Sequence, residues 1–223
     1  MRIRVTTRRY EEDLIGRRAQ RLGLATFWRS ASPSRRSGAL APSLVLNRAL
    51  KWSIRSVEPN DRDAIVRLVG EAFASPSLDD HEEVAIVEIT WERNASIDGL
   101  ELVAVDGKAV VGYVLGARAD LGGRAVVGVA PLAVAVSHQR RGIGSALMNE
   151  LIRRADDQGW ALIALLGDPD FYGRFGFVGS STCDIRYDPI GKGDPHFQVR
   201  RLHMFDASYR GALRYCWEIP DTH

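Results

Sequence analysis

The chain has 223 residues, 45% of them hydrophobic and 26% charged, with a formal net charge of +2. That is enough apolar material for one domain of ordinary size or two small ones, and it excludes wholesale disorder and collagen-like repeats. The longest near-continuous apolar run, 125–136, is 12 residues long, short of the roughly 20 that a membrane-spanning helix needs, so no membrane partner is expected. Two cysteines, Cys183 and Cys216, lack CxxC or Cys/His spacing; they offer no metal site and suit a reducing, cytoplasmic setting.

The net charge hides a division. Residues 1–51 hold twelve Lys or Arg against three acids, Glu11, Glu12 and Asp13, and the remainder holds 18 bases against 25 acids. Residues 1–50 therefore read as a basic extension, with the Ser-, Pro- and Arg-rich stretch 29–42 as a poorly ordered linker, and 51–223 as an acidic folded domain. Arg clusters attract phosphate, which leaves open a nucleic-acid or anionic-surface role for the extension. A transit peptide fits the Arg and Ser content but not the acids at 11–13. The plainest reading, a dispensable extension, leads.

In chain order, 52–57 alternates as a short strand, and Glu58-Pro59-Asn60 breaks it before Asn60 or Asp61 caps a helix. Ile65, Leu68, Val69, Ala72 and Phe73 give that helix one apolar stripe, which Ser75-Pro76-Ser77 ends. A second, acidic helix is expected over 79–93, with Asp98-Gly99 turning the chain after it. Strands over 100–105 and 108–115 flank Asp106-Gly107, a strong hairpin signal. Gly122-Gly123 is a further turn, and the strand 124–136 is long enough, with Pro131 inside it, to imply a bulge. A helix over 142–158 carries Ile143, Leu147, Leu151 and Ala155, and Gly159 stops it. The apolar strand 160–166 belongs mid-sheet. A short helix over 169–175, a strand near Phe177 and strands over 197–202 and 210–218 complete a mixed α/β sheet in one domain.

Between the long strand and its helix stands Gln139-Arg140-Arg141-Gly142-Ile143-Gly144-Ser145. A loop of this kind presents unpaired N–H groups at a helix start, where the macrodipole favours an anion. Arg140 and Arg141 add cations suited to phosphate. A tight turn with two solvated arginines is the competing reading of the loop alone. The segment lacks the Lys of a Walker loop, and Leu147 stands where a dinucleotide fingerprint has its last Gly.

The stretch 131–147 resembles, without a gap, the [RQ]-x-x-G-x-[GA] signature of the GNAT N-acetyltransferases. Downstream, Leu166-Gly-Asp-Pro-Asp-Phe-Tyr-Gly-Arg-Phe-Gly-Phe177 is similar to the family's second signature, Y-x-x-x-G-F, with Tyr172, Gly176 and Phe177 in place. The wording is closest to the YhbS-like branch, and the resemblance covers about 52–219. It implies a mostly antiparallel sheet, flanked by helices, whose central strands splay. It also implies acetyl-CoA as co-substrate, with its pyrophosphate on Gln139 to Ser145 and its pantetheine arm on the backbone of Leu132 and Val134. Many relatives carry an Asn shortly after the fifth strand, where this chain has Gly167-Asp168.

The resemblance further implies direct transfer to a primary amine, on a small molecule or a protein, within a ternary complex and without a metal. Tyr172 matches the family's proton donor to the departing thiolate; a buried core tyrosine is the alternative. Glu88, Glu92 or Asp168 are open choices for a base, and His138 is expected to face solvent. His81-Glu82-Glu83 is no zinc motif, because Ala occupies position 85. The acids at 79–92 are either an ordinary solvated helix face or a field that draws a cationic acceptor. A homodimer is common in such families. Two rival functions are a CoA-binding regulatory module without turnover and a nucleic-acid binder acting through residues 1–50.

Overall fold

Where apolar residues alternate, the chain forms an antiparallel meander. In the computed structural model, which describes residues 52–74, 82–191 and 193–218, β1 (Trp52–Ser56), β2 (Ser96–Asp106), β3 (Ala109–Leu121) and β4 (Arg124–Val134) each pair antiparallel with the next. Gly107, Gly122 and Gly123 take φ of 63°, 57° and 86° at the two hairpin tips, a left-handed region that these tight turns need. β5 (Leu162–Leu166) lies parallel to β4, and β8 (Phe197–Arg201) and the short β6 (Val178–Gly179) continue the sheet antiparallel. β9 (Gly211–Tyr215) pairs with the end of β3 and with β7 (Ile185–Arg186). The result is the expected mixed, mostly antiparallel α/β sheet, in the order β1-β2-β3-β4-β5-β8-β6.

Successive strand residues point to opposite faces, and each face has its own core. Val103, Tyr113, Leu115 and Ala117 pack with Ile65 and Val69 of α1 (Arg62–Phe73) and Val87 of α2 (Glu82–Glu92). Leu102, Ala104 and Val114 pack with Ile143, Leu147 and Leu151 of α3 (Ile143–Asp157) on the other face. Each fully buried Leu, Ile or Val contributes about 1.5–3 kcal/mol relative to exposure. Gly112 sets how closely α3 approaches: a Cβ there would come within 2.7 Å of Ile143 Cγ2. No helix among the described residues is long and apolar enough to cross a membrane.

Two expectations need correction. Asp98-Gly99 is not a turn between elements; it lies inside β2 as a bulge, with Ser96 opposite Ala117 but Glu101 opposite Leu115. Side chains of α3 satisfy the bulged carbonyls: Gln158 Nε2 donates to Asp98 O at 3.0 Å and Arg154 Nη1 to Gly99 O at 3.1 Å. Asp61 is not a simple helix cap. Its carboxylate accepts the Glu58 N–H at 2.8 Å and forms a two-pronged ion pair with Arg55 at 2.6 and 2.8 Å, tying β1 to the start of α1. The expected starts and ends around 75–81, and the basic extension 1–50, lie outside the described residues.

Candidate active site

A single irregularity in β4 opens the site. Val114 faces Leu132, whereas Gly116 faces Val129, so β4 carries one residue more than β3 across Ala130-Pro131. An extra residue reverses the side-chain parity. Val127 and Val129 point toward α3 before the bulge, and Leu132 and Val134 do so after it. The expected bulge at Pro131 is therefore present, and it leaves the two predicted residues on the α3 face.

The same kink parts β4 from β5. The two strands are in register only at Val127, Gly128 and Val129 against Ile163, Ala164 and Leu165. Beyond Val129, the β5 side of β4 has no strand partner among the described residues. Ala135 N–H donates to Val111 O at 3.0 Å, so by alternation Ala133 also turns its polar groups to β3. The N–H and C=O of Leu132 and Val134 then face the gap. Gln139 reaches back on that side, its Nε2 donating to Val134 O at 3.2 Å.

Above the gap stands the loop into α3. Arg140 and Gly142 take φ of 60° and 84°, and no side chain caps the helix. The first amide of the helix with a protein acceptor is that of Ala146, bonded to Gly142 O at 2.9 Å. The N–H groups of residues 140–145 donate to no acceptor among the described residues, in a 15-residue helix whose dipole adds to their pull on an anion. Gln139, Arg140 and Arg141 are exposed, Ile143 is buried as the anchor of the first turn, and Gly144 and Ser145 lie between these extremes. Gly144 sits closest to the gap: a Cβ there would stand 3.5 Å from Val134 Cγ2 and 3.9 Å from Leu132 and from Phe171 Cζ.

Phe171 links the loop to the second signature. Its ring meets Tyr172 edge-on at 4.9 Å, and Tyr172 meets Phe177 at 5.8 Å. Both Phe171 and Tyr172 pack on the α3-side core together with Leu132 and Val134. The Tyr172 hydroxyl donates to no described acceptor, and burial, followed by the nearby Asp168 charge, pushes its pKa well up. The group therefore keeps its proton at neutral pH. Its ring packs directly on Gly167, where any Cβ would overlap it.

Two features were not readable beforehand. Gln198, buried in β8, donates from Nε2 to Gly167 O at 2.9 Å, while Gly167 N–H donates to His196 O at 2.9 Å. These bonds fix the strand end under Tyr172. A lone amide between Phe197 and Val199 was the available signal, because a polar residue inside an apolar strand needs a specific partner. Asp168, an open choice for the base, is engaged as the cap of α4 (Pro169–Tyr172), accepting from Asp170 N at 2.9 Å. Glu88 and Glu92 lie on the exposed side of α2, away from its buried Ile86, Val87 and Thr90. His138 does not simply face solvent: it is half-buried, with Nδ1 2.8 Å from Ser137 Oγ and Nε2 3.5 Å from Asp106 Oδ2.

The chain is similar to known proteins in sequence and fold. The acetyltransferase (GNAT) domain profile matches residues 98–179. The chain is 38% identical over 152 residues to the uncharacterized N-acetyltransferase YhbS of Escherichia coli (strain K12), covering 67% of this chain and 86% of that one. The crystal structure of Escherichia coli YhbS in complex with CoA superposes with a TM-score of 0.66 at 31% identity, over 80% of this chain and 93% of that chain. A GNAT family acetyltransferase from Brucella melitensis in complex with acetyl-CoA gives 0.60 at 25% identity, over 74% and 95%. With a parted β4–β5 pair, an uncapped helix mouth and a relative of this similarity along most of its length, the chain belongs to the GNAT family of N-acetyltransferases, as a YhbS-like member.

Proposed function

We propose that the protein transfers the acetyl group of acetyl-CoA to a primary amine by direct attack in a ternary complex. The observation that carries this reading is the row of unpaired amides at 140–145 standing over a gap that the Leu132 and Val134 backbone faces. Two relatives of the same family are known with CoA and acetyl-CoA. Acetyl-CoA supplies an activated thioester.

The protein's own groups have three tasks. The amides of residues 140–145 and the guanidinium groups of Arg140 and Arg141 hold a diphosphate. The polar groups of Leu132 and Val134 hold an extended amide-bearing arm as an added strand would; the Gln139 amide, now on Val134 O, gives way or shares that acceptor. Tyr172 holds a proton near the strand end, where sulfur leaves. In the transfer a C–N bond forms, the C–S bond breaks, the amine loses a proton to solvent or a base, and the thiolate takes one from Tyr172, which solvent restores. A lysine-like amine with a pKa of about 10.4 must deprotonate before it attacks.

Calorimetry with acetyl-CoA, followed by a thiol-release assay over a panel of primary amines, tests this. Micromolar binding and amine-dependent thiol release are expected. Binding without release for any amine would leave a CoA-binding module and remove the enzyme; absence of binding would remove both.

A further inference from the structure

A second opening lies at the other end of β5. Arg201, the last residue of β8, is in register with Leu162 at the start of β5, whereas the acetyl-transfer mouth faces Gly167, just past its end. The four residue steps between Leu162 and Leu166 span about 13 Å. Here, on the face away from α3, a cavity of about 370 Å³ is lined by Ser181, Cys183, Arg201, Phe205, Tyr209 and Arg210, among others. It is a groove open to solvent, with exposed Ser181, Arg201 and Arg210 at its rim, and its volume is at the low end of small-molecule sites.

The wall has a definite chemistry. The Phe205 and Tyr209 rings lie 5.9 Å apart and tilted by 33°. The Arg201 guanidinium stands over Phe205 at 5.7 Å, and that of Arg124 over Tyr209 at 5.2 Å. The row thus runs cation, ring, ring, cation. Neither Arg201 nor Arg210 forms an ion pair with a described carboxylate. Asp184 is the carboxylate among the lining residues, set against two guanidinium groups; Asp206 is engaged by the Ser208 hydroxyl and N–H, which are the main cause of its lowered pKa, with the Arg124 charge a smaller one. A guanidinium stacked on a ring keeps its edge N–H groups for a planar or tetrahedral oxyanion.

We infer that this cavity binds a small organic anion with a planar ring, of about the size of a nucleoside monophosphate. The ring rests on the edges of Phe205 and Tyr209, whose faces the row already fills, and the anionic group is held by Arg201 and Arg210. The site is independent of acetyl transfer and stands or falls separately from it.

The test uses the full chain with saturating acetyl-CoA, so that the first mouth is filled and no free thiol is added. UMP and benzoate are titrated separately by calorimetry, with uridine and inorganic phosphate as controls. At least one of the two anions is expected to bind with Kd below about 1 mM, UMP pointing to a phosphate and benzoate to a carboxylate. Uridine and phosphate alone should bind about tenfold more weakly or worse. Arg210→Ala, at an exposed position, should weaken the anion about tenfold with the melting temperature and acetyl-CoA affinity unchanged. Occupancy should also slow alkylation of Cys183 by iodoacetamide, read by peptide mass with Cys216 as the internal reference. Absence of binding by either anion at about 10 mM, unchanged affinity in Arg210→Ala, or unprotected Cys183 at saturation would each overturn the inference.

Discussion

Packing, rather than a bonded partner, lifts the pKa of Tyr172 above the ordinary phenol value. Its ring is wedged between Phe171, Phe177 and the bare backbone of Gly167, and the raised pKa follows from desolvation first and the Asp168 charge second. Both causes favour the neutral phenol, so the proposed donor stays protonated across the range in which an amine gains its free-base form. The rate with a lysine-like acceptor is therefore expected to climb with pH toward about 10 without a descending limb from this tyrosine. A fall in kcat between about pH 8 and 9 that is absent in Tyr172→Phe would refute the raised pKa while keeping the donor role; equal kcat in Tyr172→Phe and wild type where chemistry limits the rate would refute the role itself. At neutral pH, Tyr172→Phe should lower kcat by about a hundredfold where chemistry limits the rate, with acetyl-CoA affinity held. Gly167→Ala offers an independent route to the same defect, since the added methyl displaces the ring. It should cost kcat while leaving binding at the loop intact, and unimpaired turnover would mean that the ring position does not matter.

The element proposed to hold acetyl-CoA is the turn from β4 into α3, and its two glycines differ in what they need. Gly142 needs its left-handed φ of 84°, and a side chain there would meet nothing within 4 Å. Gly142→Val accordingly costs about 1–3 kcal/mol through backbone strain alone. Gly144 has an unstrained backbone, and a Cβ would make only ordinary contacts with Val134, Leu132 and Phe171. Gly144→Ala should leave the free protein as stable or up to about 1 kcal/mol more so, as for Ala in any helix. If this glycine instead serves close approach of a ligand, the same change weakens acetyl-CoA; thermal melting with and without acetyl-CoA separates the two, and equal ligand-induced shifts in Gly144→Ala and wild type would reject the ligand role. The mouth was legible in the sequence because its signals are local: an interrupted apolar strand, two glycines and an amphipathic helix follow each other directly. The same holds for the hairpin at Asp106-Gly107. Asp98-Gly99 looked alike on paper, yet it became a bulge, because Gln158 and Arg154, about 55–60 residues on, supply donors to its carbonyls. The grip of Gln198 on Gly167, 31 residues apart, was hidden for the same reason: non-local hydrogen bonds leave no period in the chain.

Among the described residues, carboxylates on both faces of the sheet take part in the contacts that hold the helices in place, and those with lowered pKa respond to acid in one direction. Asp61 joins α1 to β1 through Arg55, whose hydrogen bond is the main reason its pKa is lowered. On the opposite face Glu150 is held down to about 2, by its hydrogen bond to Arg153 first and to Arg154 next; Arg154 in turn bonds Ser56 Oγ at 2.8 Å and Gly99 O at 3.1 Å. Asp156 fastens α3 to the segment after β8, and the backbone N–H of His203 is the main cause of its lowered pKa. A carboxyl whose pKa is lower in the folded chain than in the unfolded one adds stability that is complete above the unfolded value, about 4, and fades as pH falls through the folded value. The melting temperature is therefore expected to hold level from about pH 7 to 5 and to drop steadily between about pH 4 and 2. Because Glu150 and Asp156 are partly exposed, salt should blunt their share of the drop, and that of the buried Asp61 least. In Asp61→Asn, which keeps an acceptor but loses the charge, the neutral-pH melting temperature should fall toward the acid value and the slope below pH 4 should flatten. A wild-type curve flat down to pH 2, or an Asp61→Asn curve parallel to it, would show that these links do not carry the acid response and that other carboxyl groups do.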